Sequence, residues 1–264
     1  MSTSPDATRT GHESIGAAIR AANERGEPAI VGFMTAGFPS KEKFLSELVR
    51  VAASADVVEI GVPFTDPMAD GMTIQRASHA ALVGGVSLAW ILSALQGLPT
   101  RPEAPLILMS YLNPLLAFGI DRLPAAARAA GVSGFIVPDL PYEECADLRE
   151  ALEAQGVGLV QMVTPVTPPD RLAMLCREAR GFIYAVTMTG TTGKSVAVPT
   201  EVTAYLQSVR DLAPIPVCAG FGIRSAEQVR LLKPVVEGVV VGSALVEVLE
   251  RGDDPVAFIE SLRA

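Results

Sequence analysis

Histidine and cysteine are scarce in this 264-residue sequence, and their scarcity argues against several kinds of site. The two histidines, His12 and His79, are far apart in the chain, so we expect no histidine-based metal site. The three cysteines, Cys145, Cys176 and Cys218, are also widely spaced and form no CxxC motif. We therefore expect reduced, mostly buried thiols, as in a cytoplasmic protein.

Long apolar runs and an excess of positive charge are missing as well. No run approaches the ~20 residues of a membrane-spanning helix, and the polar N-terminus has no apolar signal core. The 21 Lys and Arg residues are outnumbered by 29 Asp and Glu residues, which gives a net charge of -8. This balance argues against both nucleic acid and anionic membranes as partners.

The segment MTGTTGKS (188–195) ends like a nucleotide-binding P-loop but lacks its first glycine. A P-loop requires a glycine, four further residues and then Gly-Lys-Ser or Gly-Lys-Thr. Counting back from Gly193, the required glycine falls on Met188. The segment therefore predicts a flexible Gly/Thr-rich loop, and its function depends on its place in the fold.

What the sequence does contain is a strand–helix alternation that runs from one end to the other. Its apolar runs are continuous, which favours parallel strands covered on both faces. Eight such runs are present, at 29–35, 56–60, 105–110, 134–139, 157–163, 181–187, 215–220 and 238–243. The repeat predicts an α/β protein with a (β/α)8 TIM barrel. A doubly wound open sheet is the alternative, but such sheets usually have fewer strands and a GxGxxG turn after the first, which is missing here.

The helical segments indicate how the chain is divided. Residues 14–26 precede the first strand and predict an extra N-terminal helix, which would cover the barrel floor. Residues 76–97 are interrupted by Gly84-Gly85 and predict two helices or one broken helix. Because no low-complexity linker divides the chain, we expect a flexible tail at 1–11 and a single barrel domain at 12–264.

The loops after the last two strands predict a phosphate site, because barrel enzymes carry their active sites at the carboxyl ends of the strands. Gly222 follows strand seven, and Gly242 and Ser243 follow strand eight and open directly into a helix. Glycines allow the main chain to approach phosphate oxygens, and the first N–H groups of a helix supply donors. Simple tight turns are the alternative for these glycines.

Two carboxylates at the end of strand two are candidates for acid–base chemistry. Glu59 is flanked by apolar residues in VVEIGVPF, so burial is expected to raise its pKa towards neutrality. The loop that follows, TDPMADG, carries Asp66 and Asp70, although Asp-Pro and Asp-Gly are also ordinary turn formers. A solvated or ion-paired charge is the alternative for Glu59. Two carboxylates in different environments can take different roles.

Aromatic residues gather at the strand ends although they form only 5% of the chain. This grouping suggests a flat apolar substrate, and ordinary barrel packing explains any single member equally well. The residues are Phe33, Phe64, Tyr111, Tyr184 and Phe221.

The segment EIGVPFTDPMADGMTIQRA (59–77) closely resembles the signature of the tryptophan synthase alpha chain family. Further segments resemble the family in the same order, at 33–40, 108–120, 130–144, 181–193, 219–229 and 239–246. Members of this family cleave indole-3-glycerol phosphate to indole and glyceraldehyde 3-phosphate in tryptophan biosynthesis, without a cofactor. They pass indole to a beta chain that carries pyridoxal phosphate, typically in an α2β2 heterotetramer.

The resemblance implies a role for each matching position. Glu59 matches the catalytic acid/base, Asp70 the second catalytic carboxylate and Tyr184 a tyrosine beside the site. Thr192 matches the threonine of the loop that closes over the substrate. Phosphate ligands are matched by Gly193, Gly222, Gly242 and Ser243, and the indole pocket by Phe33, Tyr111 and Phe221.

The sequence departs from the family's pattern at a few positions. Thr65 stands where serine is common, and Met72 where proline is frequent. In the closing loop, Thr191 replaces valine, and Lys194 and Ser195 are unusual.

Other functions stay open beside the main interpretation. They are a stand-alone lyase that releases free indole, a weakly active activator of the beta chain, and another phosphate-binding barrel enzyme. A metal-dependent epimerase would need histidines at strand ends, and neither histidine here ends a predicted strand.

Overall fold

The computed structural model describes residues 9–187, 198–220 and 222–263. All eight predicted strands lie within these ranges, and the fifth is divided in two at Val160. The strands are β1 (Ala29–Thr35), β2 (Val57–Gly61), β3 (Leu106–Met109), β4 (Val132–Ile136), β5 (Gly158–Leu159), β6 (Gln161–Val163), β7 (Ile183–Val186), β8 (Val217–Gly220) and β9 (Gly238–Val241).

The strands form one parallel sheet in the order β5-β4-β3-β2-β1-β9-β8-β7-β6. The two ends of this order, β5 and β6, are separated only by Val160, whose N–H donates to the carbonyl of Phe135 at 2.9 Å. The predicted fifth strand thus pairs with β4 through its first half and with β7 through its second. The sheet closes on itself at this point, and the predicted (β/α)8 barrel is confirmed.

Helices surround the barrel in the described part of the chain. They are α1 (Gly11–Glu24), α2 (Lys41–Ser54), α3 (Met72–Val83), α4 (Leu88–Gln96), α5 (Leu112–Phe118), α6 (Leu123–Ala129), α7 (Ala146–Ala154), α8 (Pro169–Glu178), α9 (Thr200–Leu212), α10 (Ala226–Leu232), α11 (Ser243–Arg251) and α12 (Pro255–Ser261), with a short 3-10 helix at Tyr142–Glu144.

The extra N-terminal helix, α1, covers the floor of the barrel. Its buried Ile15 and Ile19 belong to the same apolar cluster as inward-facing strand residues such as Val31. Close approach requires a glycine in β5, because a Cβ on Gly158 would lie 2.8 Å from the Cβ of His12. Residues 1–8 of the expected tail lie outside the described residues, whereas Thr10 and Gly11 form the start of α1.

Residues 76–97 form parts of two helices, as the glycine pair predicts. The chain leaves α3 at Gly84, and Gly85 adopts a φ of +75°, a backbone conformation that glycine tolerates best. The axes of α3 and α4 differ by 83°. Within the described ranges, no single helix is long and apolar enough to cross a membrane; this bent pair together meets those criteria of length and composition.

Side chains of each strand alternate between the barrel interior and the helical layer. In β1, Ile30 and Met34 pack with the outer helices, and Val31 packs in the interior. A Cβ on Gly32 would lie 3.2 Å from Val51 of α2, so Gly32 also faces outward. Phe33 and Thr35 therefore face the interior near the carboxyl end, which we call the mouth.

Candidate active site

Glu59 lies on β2 and faces the barrel interior opposite Phe33 of β1. Its side chain is buried, with the residue 2% exposed, and its Oε2 has no hydrogen-bond partner among the described residues. Burial, reinforced by the charge of Asp70, raises the pKa of Glu59 to about 8. Glu59 therefore carries a proton at neutral pH and is able to donate it.

Asp70 lies in the loop between β2 and α3, beside Glu59. The loop is fixed by its own main chain, because Asp70 N–H donates to the carbonyl of Pro67 at 3.1 Å and Gln75 Nε2 donates to the carbonyl of Asp70 at 2.8 Å. Burial raises the pKa of Asp70 to about 6, and a hydrogen bond from Tyr111 opposes that shift. Asp70 is thus mostly ionised at neutral pH while Glu59 is mostly protonated.

Tyr111 connects the β2 and β3 sides of the mouth. Its hydroxyl accepts the N–H of Ala69 at 2.8 Å and is hydrogen-bonded to the Asp70 carboxylate. Burial, with the charge of Asp70, raises the pKa of Tyr111 to about 12, so the phenol stays protonated and acts as a donor. Its ring also contacts Phe64 at a centroid distance of 5.2 Å.

Tyr184 and Phe33 lean into the mouth where neighbouring strands carry glycine. A Cβ on Gly220 would lie 2.4 Å from the Tyr184 ring, and one on Gly61 would lie 2.6 Å from the Phe33 ring. Burial, followed by the charge of Glu59, raises the pKa of Tyr184 well above its usual value. Both rings therefore depend on glycine at a strand end for their position.

The loops after β8 and β9 provide main-chain donors at the mouth. Gly222 has a φ of +81°, and Gly242 precedes α11, which begins at Ser243. The first helical hydrogen bonds to Gly242 come from Leu245 and Val246, so the N–H groups of Ser243 and Ala244 lie ahead of the helical ladder. A Cβ on Gly242 would lie in ordinary contact with Ile74 at 3.7 Å and Phe33 at 4.0 Å, so these apolar side chains lie beside the helix start. This end of α11 suits an anion.

Glu247 of α11 is a residue that the sequence did not indicate. Its Oε1 accepts a hydrogen bond from Thr73 Oγ1 at 3.2 Å, and its Oε2 pairs with Arg224. Thr73 lies at the start of α3, directly after the Asp70 loop, and Arg224 follows Gly222. The carboxylate thus connects the loop that carries Asp70 with the loops after β8 and β9. No sequence spacing relates positions 73, 224 and 247.

Several predicted positions lie apart from this cluster or outside the described residues. Asp66 is exposed and accepts a hydrogen bond from Thr65 at 2.5 Å, as in an ordinary turn. Met72 is the first residue of α3 and is 77% exposed. The described residues contain no group of three or more His, Cys, Asp or Glu side chains able to hold a metal ion. Outside the described residues lie Thr191, Thr192, Gly193, Lys194, Ser195 and Phe221.

Comparisons with known proteins point to one family. The family model for the tryptophan synthase alpha chain matches residues 19–262. The alpha chain of Solidesulfovibrio magneticus is 44% identical over 239 residues, which cover 90% of this chain and 93% of that protein. The alpha chain of Bacillus mycoides is 43% identical over 235 residues, which cover 88% and 91%.

Solved structures agree in fold as well as in sequence. Tryptophan synthase subunit alpha from Legionella pneumophila superposes with a TM-score of 0.84 at 30% identity, covering 95% of this chain and 97% of that one. The aminoacrylate-bound form of tryptophan synthase from M. tuberculosis gives a TM-score of 0.85 at 30% identity, covering 95% and 98%. A chain of the tryptophan synthase complex from Pyrococcus furiosus gives 0.81 at 31% identity, covering 89% and 98%. The protein therefore belongs to the tryptophan synthase alpha chain family.

Proposed function

We propose that the protein is a lyase that cleaves indole-3-glycerol phosphate to indole and D-glyceraldehyde 3-phosphate, as the alpha subunit of tryptophan synthase. One observation carries the proposal: two adjacent carboxylates, the buried Glu59 and the partly buried Asp70, have pKa values of about 8 and about 6 at the mouth of the barrel. One is an acid and the other an anion at neutral pH, and the cleavage requires one of each.

The reaction is a retro-aldol cleavage. Glu59 donates its proton to C3 of the indole ring, which leaves a positive charge centred on the ring nitrogen. Asp70 accepts a hydrogen bond from the indole N–H and stabilises that charge as it develops. The ionised Glu59 then removes the proton of the hydroxyl on the carbon attached to C3, the carbon–carbon bond breaks, and its electrons restore the ring. The net change moves one proton from the hydroxyl to C3.

Substrate binding follows from the same geometry. In this proposal, the phosphate of the substrate binds at Gly222, Gly242 and the helix start at Ser243, where main-chain donors and the helix dipole favour an anion. The indole ring is placed beside Phe33, Tyr111 and Tyr184, with Tyr111 holding the Asp70 carboxylate in position. By family position, Gly193 would add a phosphate contact, and Thr192 and Phe221 further substrate contacts.

The proposed chemistry needs no cofactor, because Glu59 and Asp70 supply both the proton and the compensating charge. Pyridoxal phosphate belongs to the partner beta chain, with which we place this chain in an α2β2 heterotetramer. The three cysteines are buried and free, which fits the cytoplasmic location expected from the sequence.

Large exposed apolar side chains at the mouth support the beta chain as partner. Met68, Leu116 and Val166 follow β2, β3 and β6 respectively, and they are 88%, 52% and 76% exposed. We call these three residues the rim. A partner seated on the rim would remove this apolar surface from water and cover the open end of the barrel.

The test is an assay of the purified protein with indole-3-glycerol phosphate, alone and with a tryptophan synthase beta chain. We expect indole release by the protein alone, faster release with the beta chain, and a complex of α2β2 mass by light scattering. A stand-alone lyase would release indole at a rate that the beta chain does not change. A non-catalytic activator would release none and would only stimulate the beta chain. Release of no indole in either mixture would refute the proposal.

A further inference from the structure

Thr35, the last residue of β1, carries a hydroxyl that the proposed mechanism does not use. The residue is 2% exposed, and its Oγ1 has no hydrogen-bond partner among the described residues. Buried polar groups in native proteins are nearly always paired, and an exception at a binding site points to a partner that arrives with a ligand.

The position of Thr35 shows where that partner must come from. By strand alternation, Thr35 faces the barrel interior at the mouth, above Phe33. In the β1–β2 register it lies opposite Gly61, whose side-chain position is taken by the apolar Phe33 ring and offers the hydroxyl no polar partner. Glu59 lies opposite Phe33, two residues deeper, or about 6.6 Å along the strands. The hydroxyl thus stands above the proton-donating carboxyl.

The order of the strands places Thr35 between the two ends of the site. Strand β1 pairs with β2, which carries Glu59, on one side and with β9, which leads to Gly242, on the other. In indole-3-glycerol phosphate, the glycerol chain connects the reacting ring carbon to the phosphate and carries two hydroxyl groups. A substrate that reaches from Glu59 to Gly242 must lay this chain across the end of β1.

We propose that Thr35 Oγ1 forms a hydrogen bond with a hydroxyl of the glycerol chain and positions that chain for cleavage. The inference rests on the proposed function, since it concerns the same substrate. A threonine hydroxyl both donates and accepts, so it matches a substrate hydroxyl in either orientation. A site with such a group also discriminates against analogues that lack the hydroxyl, because its own polar atom is then left unpaired.

The experiment compares Thr35→Val, which keeps the shape and removes the hydroxyl, with Thr35→Ser, which keeps the hydroxyl. Two ligands are used: indole-3-glycerol phosphate and indole-3-propanol phosphate, which keeps the indole and phosphate groups but has no glycerol hydroxyls. We expect Thr35→Val to lower kcat/KM for the substrate by about tenfold, the loss of one hydrogen bond, while Kd for the analogue stays within about twofold. Thr35→Ser should retain most of the activity.

Thermal unfolding separates this role from a role in packing. Because the Thr35 hydroxyl has no partner among the described residues, Thr35→Val should melt at or above the wild-type temperature. Unchanged kcat/KM in Thr35→Val, equal losses for substrate and analogue, or a lowered melting temperature would each overturn the inference. Failure of the wild-type protein to cleave the substrate would instead refute the proposed function, and the inference with it.

Discussion

Glu59 and Asp70 are the same kind of group, and their surroundings alone give them different protonation states. Glu59 is buried and Asp70 partly buried; Asp70 also receives a hydrogen bond from Tyr111, whereas Glu59 Oε2 has no partner among the described residues. The hydrogen bond favours the charged form of Asp70, and its absence leaves desolvation unopposed at Glu59. The two pKa values, about 6 and about 8, bracket neutrality.

The first prediction is a bell-shaped pH profile of kcat/KM for indole release. Activity requires ionised Asp70, so it should rise as the pH increases through about 6, and it requires protonated Glu59, so it should fall through about 8. Steady-state kinetics between about pH 5 and pH 10 measure both limbs. Activity that keeps rising above about pH 9 would contradict the role of Glu59 as the acid.

The second prediction is that Glu59→Gln inactivates the protein and stabilises it. Turnover should fall by at least ~100-fold, because an amide is far too weak an acid to transfer a proton to carbon. The folded-state pKa of about 8 lies above the ordinary value of 4.5, so in wild type the folded state binds more protons than the unfolded state between these values. Wild-type stability is therefore lost as the pH rises through this window.

Urea unfolding of both proteins across pH checks this second prediction. The stability gain of Glu59→Gln should be small near pH 4.5, grow with pH, and level off above about pH 8 at about 5 kcal/mol. Glu150→Gln on helix α7 provides the control, because it makes the same chemical change at an exposed position. A gain independent of pH would mean that Glu59 is ionised in the folded protein.

Local sequence predicted a role for Glu59 and Asp70, marked Thr35 only as a polar residue at a strand end, and did not indicate Glu247. The apolar flanks of Glu59 and the Asp-Gly turn at Asp70 are visible within a few residues of each position. A role for Thr35 emerges only when the structure shows its buried hydroxyl without a partner among the described residues, and a role for Glu247 only when two other loops reach it. Contacts between distant segments leave no periodic signal in the chain.

At the scale of elements, the helices α3 and α11 form a bridge between the loop that carries Asp70 and the loops after β8 and β9. Thr73 of α3 donates to Glu247 of α11, and Arg76 forms a two-bonded ion pair with Glu250 one turn further on, at 3.0 and 2.6 Å. The first contact lies at the mouth, next to Asp70, and the second lies on the exposed flank. Only the contact between Thr73 and Glu247 is close enough to the mouth to hold the Asp70 loop in position relative to the start of α11.

The third prediction follows from this difference between the two contacts. Thr73→Val and Glu247→Gln should each raise KM for the substrate by about threefold to tenfold, because α3 is then free to shift relative to the helix start that we propose as the phosphate site. The double variant should lose less than the sum of the single losses. Glu250→Gln is the matched control: its ion pair with Arg76 is exposed to solvent and contributes little, so KM should not change. Equal effects of Glu247→Gln and Glu250→Gln would show that the bridge has no positioning role.

The ends of helices and strands could be predicted where the residue composition of the chain changes. They could not be predicted where a strand only changes the neighbouring strand with which it pairs. Gly84-Gly85 predicts a break between two helices, and the structure has that break, with α3 ending at Val83. The run 157–163 is apolar throughout and reads as one strand. Its division at Val160 reflects a change of neighbour from β4 to β7, which the residues themselves do not record.

At the scale of the whole molecule, the polar contacts that stabilise the fold and the groups proposed for the reaction lie at opposite ends of the barrel. At the floor, Asp56 accepts hydrogen bonds from Ile30 N–H at 2.8 Å, from Arg25 at 2.7 Å and from Arg263 at 2.7 Å, and so ties the C-terminal segment to the strands. At the mouth, the polar groups that carry the proposed reaction are Glu59, Asp70 and the loops after β8 and β9. Substitutions at the mouth can therefore change the chemistry without breaking the contacts that stabilise the floor.

The last prediction concerns how the molecule meets its partner. Leu116, a rim residue on α5, is 52% exposed, and Val49, on the flank of α2, is 48% exposed. Placing an aspartate at either position costs little in the isolated protein, because both side chains are already half in water. If the rim is the docking surface, Leu116→Asp should weaken beta-chain binding by at least about tenfold, since a buried, unpaired carboxylate is costly. Val49→Asp should leave binding unchanged, because it lies away from the mouth.

Titration calorimetry with a beta chain measures both affinities, and indole release measured without the beta chain checks that each variant is folded and active. Both variants should keep their intrinsic rate within about twofold, because neither position contacts the catalytic carboxylates, and only Leu116→Asp should lose the acceleration by the beta chain. Equal binding by the two variants would place the interface elsewhere. A loss confined to Val49→Asp would move it to the flank of the barrel, where the partner would leave the mouth uncovered and would have no direct route to the indole released there.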